Sequence, residues 1–192
     1  SFDAFKIRYF FNEVVSIDLF TAKLQDNNYA RIIPGVKSRD SNLHGVYASA
    51  DLGNNFKNVD LYFLRKESNT SSGSLFKDTS AFGLRLKSII DGTRFDYRGE
   101  YTIENTTLIA GEVESNGEHQ LDFEVGYTHP FGETRFALEY FESSKNFDQL
   151  FPTGHKFLGY ADQFSRRNIS GYVIHLSSAV MDKLSIFFDY HF

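Results

Sequence analysis

Residues 119–141 read HQLDFEVGYTHPFGETRFALEYF. Leu121, Phe123, Val125 and Tyr127 alternate with Asp122 and Glu124. Beyond a His-Pro-Phe-Gly turn, Phe136, Leu138 and Tyr140 alternate in the same way with Arg135 and Glu139. A period of two is a strand signal, because successive side chains point to opposite faces of a sheet. Two such runs about a Pro- and Gly-bearing turn read as an antiparallel hairpin with one apolar and one charged face.

The same period runs outward in both directions, through FKIRYFFN, AFGLRLKS, RFDYRGEYTI and LSIFFDYHF. It predicts strands over about 3–12, 14–24, 43–51, 57–66, 79–90, 93–104, 118–128, 133–143, 168–178 and 183–192. No amphipathic helical period competes with it. Pro34, Pro130 and Pro152 fall outside every strand, as a hydrogen-bonded ladder requires.

The connections alternate in length. Short ones are expected at Asn12–Val14, Leu52–Phe56, Asp91-Gly92, His129–Gly132 and Ala179–Asp182. Long ones are expected at 25–42, 67–78, 105–117 and 144–167. Strand, tight turn, strand, long loop is the pattern of an outer-membrane barrel, with periplasmic turns and extracellular loops. The segment 105–117 leaves strand boundaries open, because LIAGEV can extend the strands beside it.

Composition removes several classes. The 192 residues carry a net charge of −5, which argues against a nucleic-acid partner. There is no cysteine, hence neither a disulfide framework nor a thiolate metal site. No stretch is apolar enough for a transmembrane helix, but strands of about 10 alternating residues cross a bilayer without that signal. Aromatics make up 17% of the chain. Several lie near strand ends, where interfacial girdles sit: Tyr9, Phe11, Tyr101, Tyr127, Tyr140 and Tyr190. Strand length, aromatic placement and alternating connections favour a membrane barrel over a soluble one, which would bury its apolar face. If the short turns are periplasmic, the first and last strands both have their outer ends outside. The chain then reads as an internal part of a larger barrel, with further strands on either side.

One long connection holds FDQLFPTGHKFLGYADQF, residues 147–164, too apolar for a linker and too irregular for a strand. With the strand that follows and LSIFFDYHF, this loop resembles the alginate export family of outer-membrane barrels. FDAFKIRYFF with SIDLFTAKL, then LHGVYASADL, VDLYFLRKES, AFGLRLKS, RFDYRGEYTI and LDFEVGYTHP resemble that family too, in order and across nearly the whole chain. The resemblance implies a bacterial outer-membrane barrel of about 18 strands with a polar, charge-lined pore. The best-understood member of that family carries alginate, so the resemblance implies an anionic polysaccharide as cargo. The expectation is passive, charge-guided passage in a direction left open, with periplasmic export partners as candidates, no cofactor and no catalysis.

With the charged face turned to the lumen, Lys6, Arg8, Arg85, Lys87, Arg98 and Arg135 line the expected substrate pathway. Arginine suits a polyuronate because its fork donates two parallel hydrogen bonds to a carboxylate. His155, Lys156, Arg166 and Arg167 are the expected gating residues, should the 147–164 loop fold into the lumen rather than cap the rim. Asp96, Glu100, Asp122, Glu124, Glu139, Asp189 and His191 share that face. Acids there are about as numerous as bases, which keeps small anionic solutes as cargo beside a polymer. It also leaves open that the charges only pair across strands.

Other chemistry finds little support. The six histidines show no HxxxH spacing for a metal. Ser74-Leu75-Phe76-Lys77 matches SxxK but lacks its SDN and KTG partners. Asp148 and Asp162 are far apart for a glycosidase pair. Asp189 with His191 lacks the second acidic pair of an outer-membrane protease. The expectation is a channel, the alternative a structural or interaction barrel with a plugged lumen.

Overall fold

The computed structural model describes residues 2–25, 40–69, 75–108, 113–150 and 167–192. They form ten strands: β1 (Phe2–Phe10), β2 (Val15–Gln25), β3 (Asp40–Ala50), β4 (Asn58–Asn69), β5 (Leu75–Ile89), β6 (Phe95–Leu108), β7 (Val113–His129), β8 (Thr134–Ser143), β9 (Ile169–Met181) and β10 (Leu184–His191). One 3-10 turn, Phe131–Glu133, is the only helical element among the described residues. All ten strands lie in one antiparallel sheet in sequence order, β1 to β10.

Within this chain the sheet is not closed into a barrel. β1 pairs with β2 and β10 with β9, and the two form the edges of an open sheet. Two connections are shorter than the sequence reading placed them. β4 and β5 leave only 70–74 between them, and β6 and β7 only 109–112. The alternation simply continues: Thr102, Glu104 and Thr106 are buried while Tyr101, Ile103 and Asn105 are exposed. Asn105 Oδ1 accepts from Gly117 N at 2.7 Å, holding the far ends of β6 and β7 together.

The short turns are closed by local polar chemistry. Asn12 Oδ1 accepts from Val14 N and Val15 N at 2.8 and 2.7 Å, an Asx turn that reverses the chain between β1 and β2. Between β3 and β4, Gly53 and Asn54 take positive φ of 72° and 47°, a conformation these two residue types tolerate best.

Two compact units divide the chain. The first comprises 1–49, 60–83 and 103–118. In it Asp18 is buried and held by Arg8 and Lys6, and Thr79 and Thr106 share a buried hydroxyl contact at 3.1 Å. Tyr62 lies across Gly83 on the next strand, where a Cβ would overlap the ring, and stacks on Tyr47 at 5.6 Å. The second unit comprises 50–59, 84–102 and 119–192. In it the β3–β4 and β5–β6 turns are tied together. Asn55 Oδ1 accepts from Asp91 N at 2.8 Å, and Lys57 Nζ sits 3.3 Å from Asp91.

Each unit reverses the burial pattern of a water-soluble sheet. In the first, Asp18, Asp60 and Glu104 are buried while Phe5, Leu19 and Phe63 are exposed. In the second, Asp122, Glu124 and Glu139 are buried while Phe123, Leu138 and Ile174 are exposed. Glu139 is 2% exposed and its neighbour Leu138 51%. Charged residues are ordinarily the last to be buried, and a large apolar face ordinarily marks a surface that something covers.

Candidate functional site

The charged face of β6–β10 carries one continuous ion-pair network. Its centre follows from register: Glu124 on β7 lies directly opposite Glu139 on β8. Like charges directly opposite destabilise a sheet. Arg98 on β6 answers both. Its Nε donates to Glu124 Oε2 at 2.7 Å and its Nη2 to Glu139 Oε2 at 2.6 Å. Asp122 stands 3.9 Å from the same guanidinium.

Arg135 on β8 reaches across β7 to the other side of this pair. Its Nε donates to Asp96 Oδ2 on β6 at 2.9 Å, and its Nη2 to Glu124 Oε1. The crossing depends on Gly126, since a Cβ there would overlap the guanidinium. Gly126→Val is therefore expected to expel Arg135 from Asp96. The check is a double-mutant cycle with Asp96→Asn: the coupling between 96 and 135, about 1–3 kcal/mol for a charge-assisted bond, should vanish in the valine background.

His175 on β9 completes the network. It lies opposite Ala137 on β8 and Asp189 on β10. Its Nε2 is 2.9 Å from Glu139 Oε2, and its Nδ1 is 2.6 Å from Asp189 Oδ1. Five carboxylates (Asp96, Asp122, Glu124, Glu139 and Asp189) thus share Arg98, Arg135 and His175. This face is charged, with an acidic excess on this stretch.

Glu124, Glu139 and His175 bring ligand atoms within 4.8 Å of one another, close enough for a metal. Yet Arg98 is hydrogen-bonded to the Oε2 atoms of both glutamates and fixes a positive charge among them. A cation would have to displace the guanidinium, so the trio is built as an ion-pair network.

The other sequence-expected residues divide by location. Arg8 forks onto Asp18 at 2.6 and 2.7 Å, with Lys6 Nζ at 2.7 Å from the same carboxylate. Arg85 and Lys87 are exposed and alternate in step with buried Thr79 and Ala81. Glu100 is half-buried and His191 exposed on edge strand β10. His155, Lys156 and Arg166 lie outside the described residues. Arg167 donates from Nε to the Lys145 carbonyl at 2.9 Å, and Asn168 N donates to Ser144 O at 3.0 Å. These bonds draw together the two ends of the 144–168 connection.

Sequence reading missed His175, Asp18, Asp60 and Glu104 on the charged face. His175 had a usable signal: in Val173-Ile174-His175 it falls in step with Val173, on the face opposite Tyr172 and Ile174. Comparison with protein families, with curated proteins and with solved structures finds no match to this chain.

Proposed function

We propose that this sheet is part of the wall of a bacterial outer-membrane β-barrel channel, with the charged face lining an aqueous lumen and the apolar face turned to lipid. The observation that carries the reading is the reversed burial: buried Asp122, Glu124 and Glu139 alternate with exposed Phe123, Val125 and Leu138. A transmembrane barrel alternates apolar-out and polar-in, the opposite of a soluble one. Aromatic clusters support it. Phe95 and Tyr127 pack at 4.9 Å toward the short-turn ends, and Tyr140 and Tyr172 at 5.0 Å toward the long-connection ends. Such belts mark the two interfaces of a bilayer. The open edges at β1 and β10 fit a larger barrel, because an unpaired edge in hydrocarbon costs several kcal/mol per unsatisfied group. In this reading those edges pair with further strands.

Cargo of the alginate type, or a small anionic solute, would be drawn by Arg85 and Lys87, whose side chains stand exposed in step with the charged face. Arg8, Arg98 and Arg135 are engaged by carboxylates and serve to hold the wall. Replacing Arg85 and Lys87 together with Glu is expected to shift the reversal potential toward cations; an unchanged potential would remove both from the pathway.

A second reading, a barrel plugged by its own side chains, draws on the same engaged arginines and the acidic excess beside them. Single-channel recording of the full-length protein in a planar bilayer separates the two. An open, anion-preferring pore that polyuronate blocks supports the conduit. An open pore indifferent to polyuronate keeps the channel and rejects that cargo. A silent protein that has inserted supports the plugged barrel.

A further inference from the structure

His175 stands between two carboxylates. Its Nε2 is 2.9 Å from Glu139 Oε2 on β8, and its Nδ1 is 2.6 Å from Asp189 Oδ1 on β10. A neutral imidazole carries one N–H, so it donates to one of these oxygens and turns a lone pair on the other. Two contacts this short, one on each nitrogen, require a proton on both. Those protons belong to the ring. Glu139 Oε2 also accepts from Arg98 Nη2 at 2.6 Å, and Asp189, its side chain 55% exposed, meets solvent. His175 is thus the third cation of the network. Unlike the two arginines, it is of a residue type that gains and loses its charge within the physiological pH range.

The two ends of this bridge are unequal. The Glu139 side chain is 3% exposed and keeps Arg98 as a donor. Among the described residues, Asp189 has no donor but His175. When one proton leaves the ring, the remaining N–H is best kept at Nε2. A buried carboxylate cannot replace a lost donor with water, and an exposed one can. Nδ1 then aims a lone pair at Asp189, which turns to water. The other charges around the ring are already engaged or stand further off. Glu124 Oε2 lies 3.7 Å from Nε2. Arg98 is held by Asp122, Glu124 and Glu139, and Arg135 by Asp96 and Glu124. His191 lies opposite Val173, two residues along β10 from Asp189.

Resting on the channel-wall reading above, we propose that His175 is a pH-dependent charge switch in the lumen wall. As imidazolium it ties Asp189 on β10 to Glu139 on β8. As neutral imidazole it keeps Glu139 and gives up Asp189 to the lumen. The step releases one proton to water and makes the wall more negative by one charge. Passage of anions is favoured on the acidic side of the step and passage of cations on the alkaline side.

The test uses the full-length protein in a His191→Gln background, which leaves His175 as the titrating histidine of this face among the described residues. Nitrogen-15 NMR of histidine-labelled protein in bilayers reads the ring directly, because an imidazole nitrogen without a proton resonates far from one that carries it. The proposal expects both His175 nitrogens protonated at about pH 7 and only Nδ1 bare at about pH 9. In a planar bilayer under a salt gradient, the cation-to-anion permeability ratio should rise about twofold over the same range, the effect of one unit charge about a Debye length from the ion path. His175→Gln should abolish the rise and hold the alkaline ratio. His175→Lys should abolish it and hold the acidic ratio. A His175 ring that is neutral at the lower pH or unchanged at the higher one, or the same rise in His175→Gln, overturns the switch and leaves the channel standing. A protein that inserts but conducts at neither pH overturns the channel reading and the switch of its selectivity with it.

Discussion

Replacing Arg98 with Met is expected to destabilise the full-length protein by about 3 kcal/mol, the cost of leaving buried charge without its partner. Glu124 and Glu139 face each other directly in the β7–β8 register, and Arg98 bonds to both. Without the guanidinium the two carboxylates repel across one ladder step in a setting where each is almost fully buried. Neutralising them should undo the damage: Arg98→Met with Glu124→Gln and Glu139→Gln is expected to recover most of the lost stability. Urea unfolding in liposomes measures both variants. A single mutant as stable as the wild type, or a triple mutant no better than the single, would show that the network does not hold these strands.

The second large effect lies on the other face. Leu138 sits in the middle of β8, half exposed, on the side opposite the ion pairs. Leu138→Arg is expected to cost about 2–4 kcal/mol, the penalty for a charge near the bilayer midplane on a barrel's lipid face. On a water-facing surface the same change would fall within about 0.5 kcal/mol of neutral. The substitution therefore distinguishes the solvent on that face. The readout is folding of the variant into vesicles of defined composition against the wild type. Equal folding stability would place Leu138 in water.

Much of the sheet was legible because each strand writes its two faces into alternate residues. Phe123-Glu124-Val125 and Phe136-Ala137-Leu138-Glu139 declare strand and face without any partner. Strand ends were less legible. Asn105 and Thr106 read as the start of a polar loop, yet Thr106 is buried on the charged face and extends β6. The network itself could not be read, because it is set by register. Arg135 and Asp96 are on strands separated by β7, and the guanidinium crosses over Gly126, where a Cβ would displace it. His175 carries no motif, and its role appears only when β9 brings it beside Glu139 and Asp189. The turn-and-loop rhythm specifies which strands neighbour one another, which is what the β1 to β10 order shows, but not what pairs with the outer edges of β1 and β10.

The central claim concerns which face meets water and which meets lipid. Nitroxide labels placed singly at 136, 137, 138, 140 and 141 of the full-length protein in a bilayer test it directly. The chain contributes no native cysteine to interfere. The account predicts alternating accessibility. Labels at Phe136, Leu138 and Tyr140 should collide with oxygen dissolved in the hydrocarbon, and labels at Ala137 and Phe141 with a water-soluble nickel chelate. The opposite alternation, or nickel access at every position, would contradict it.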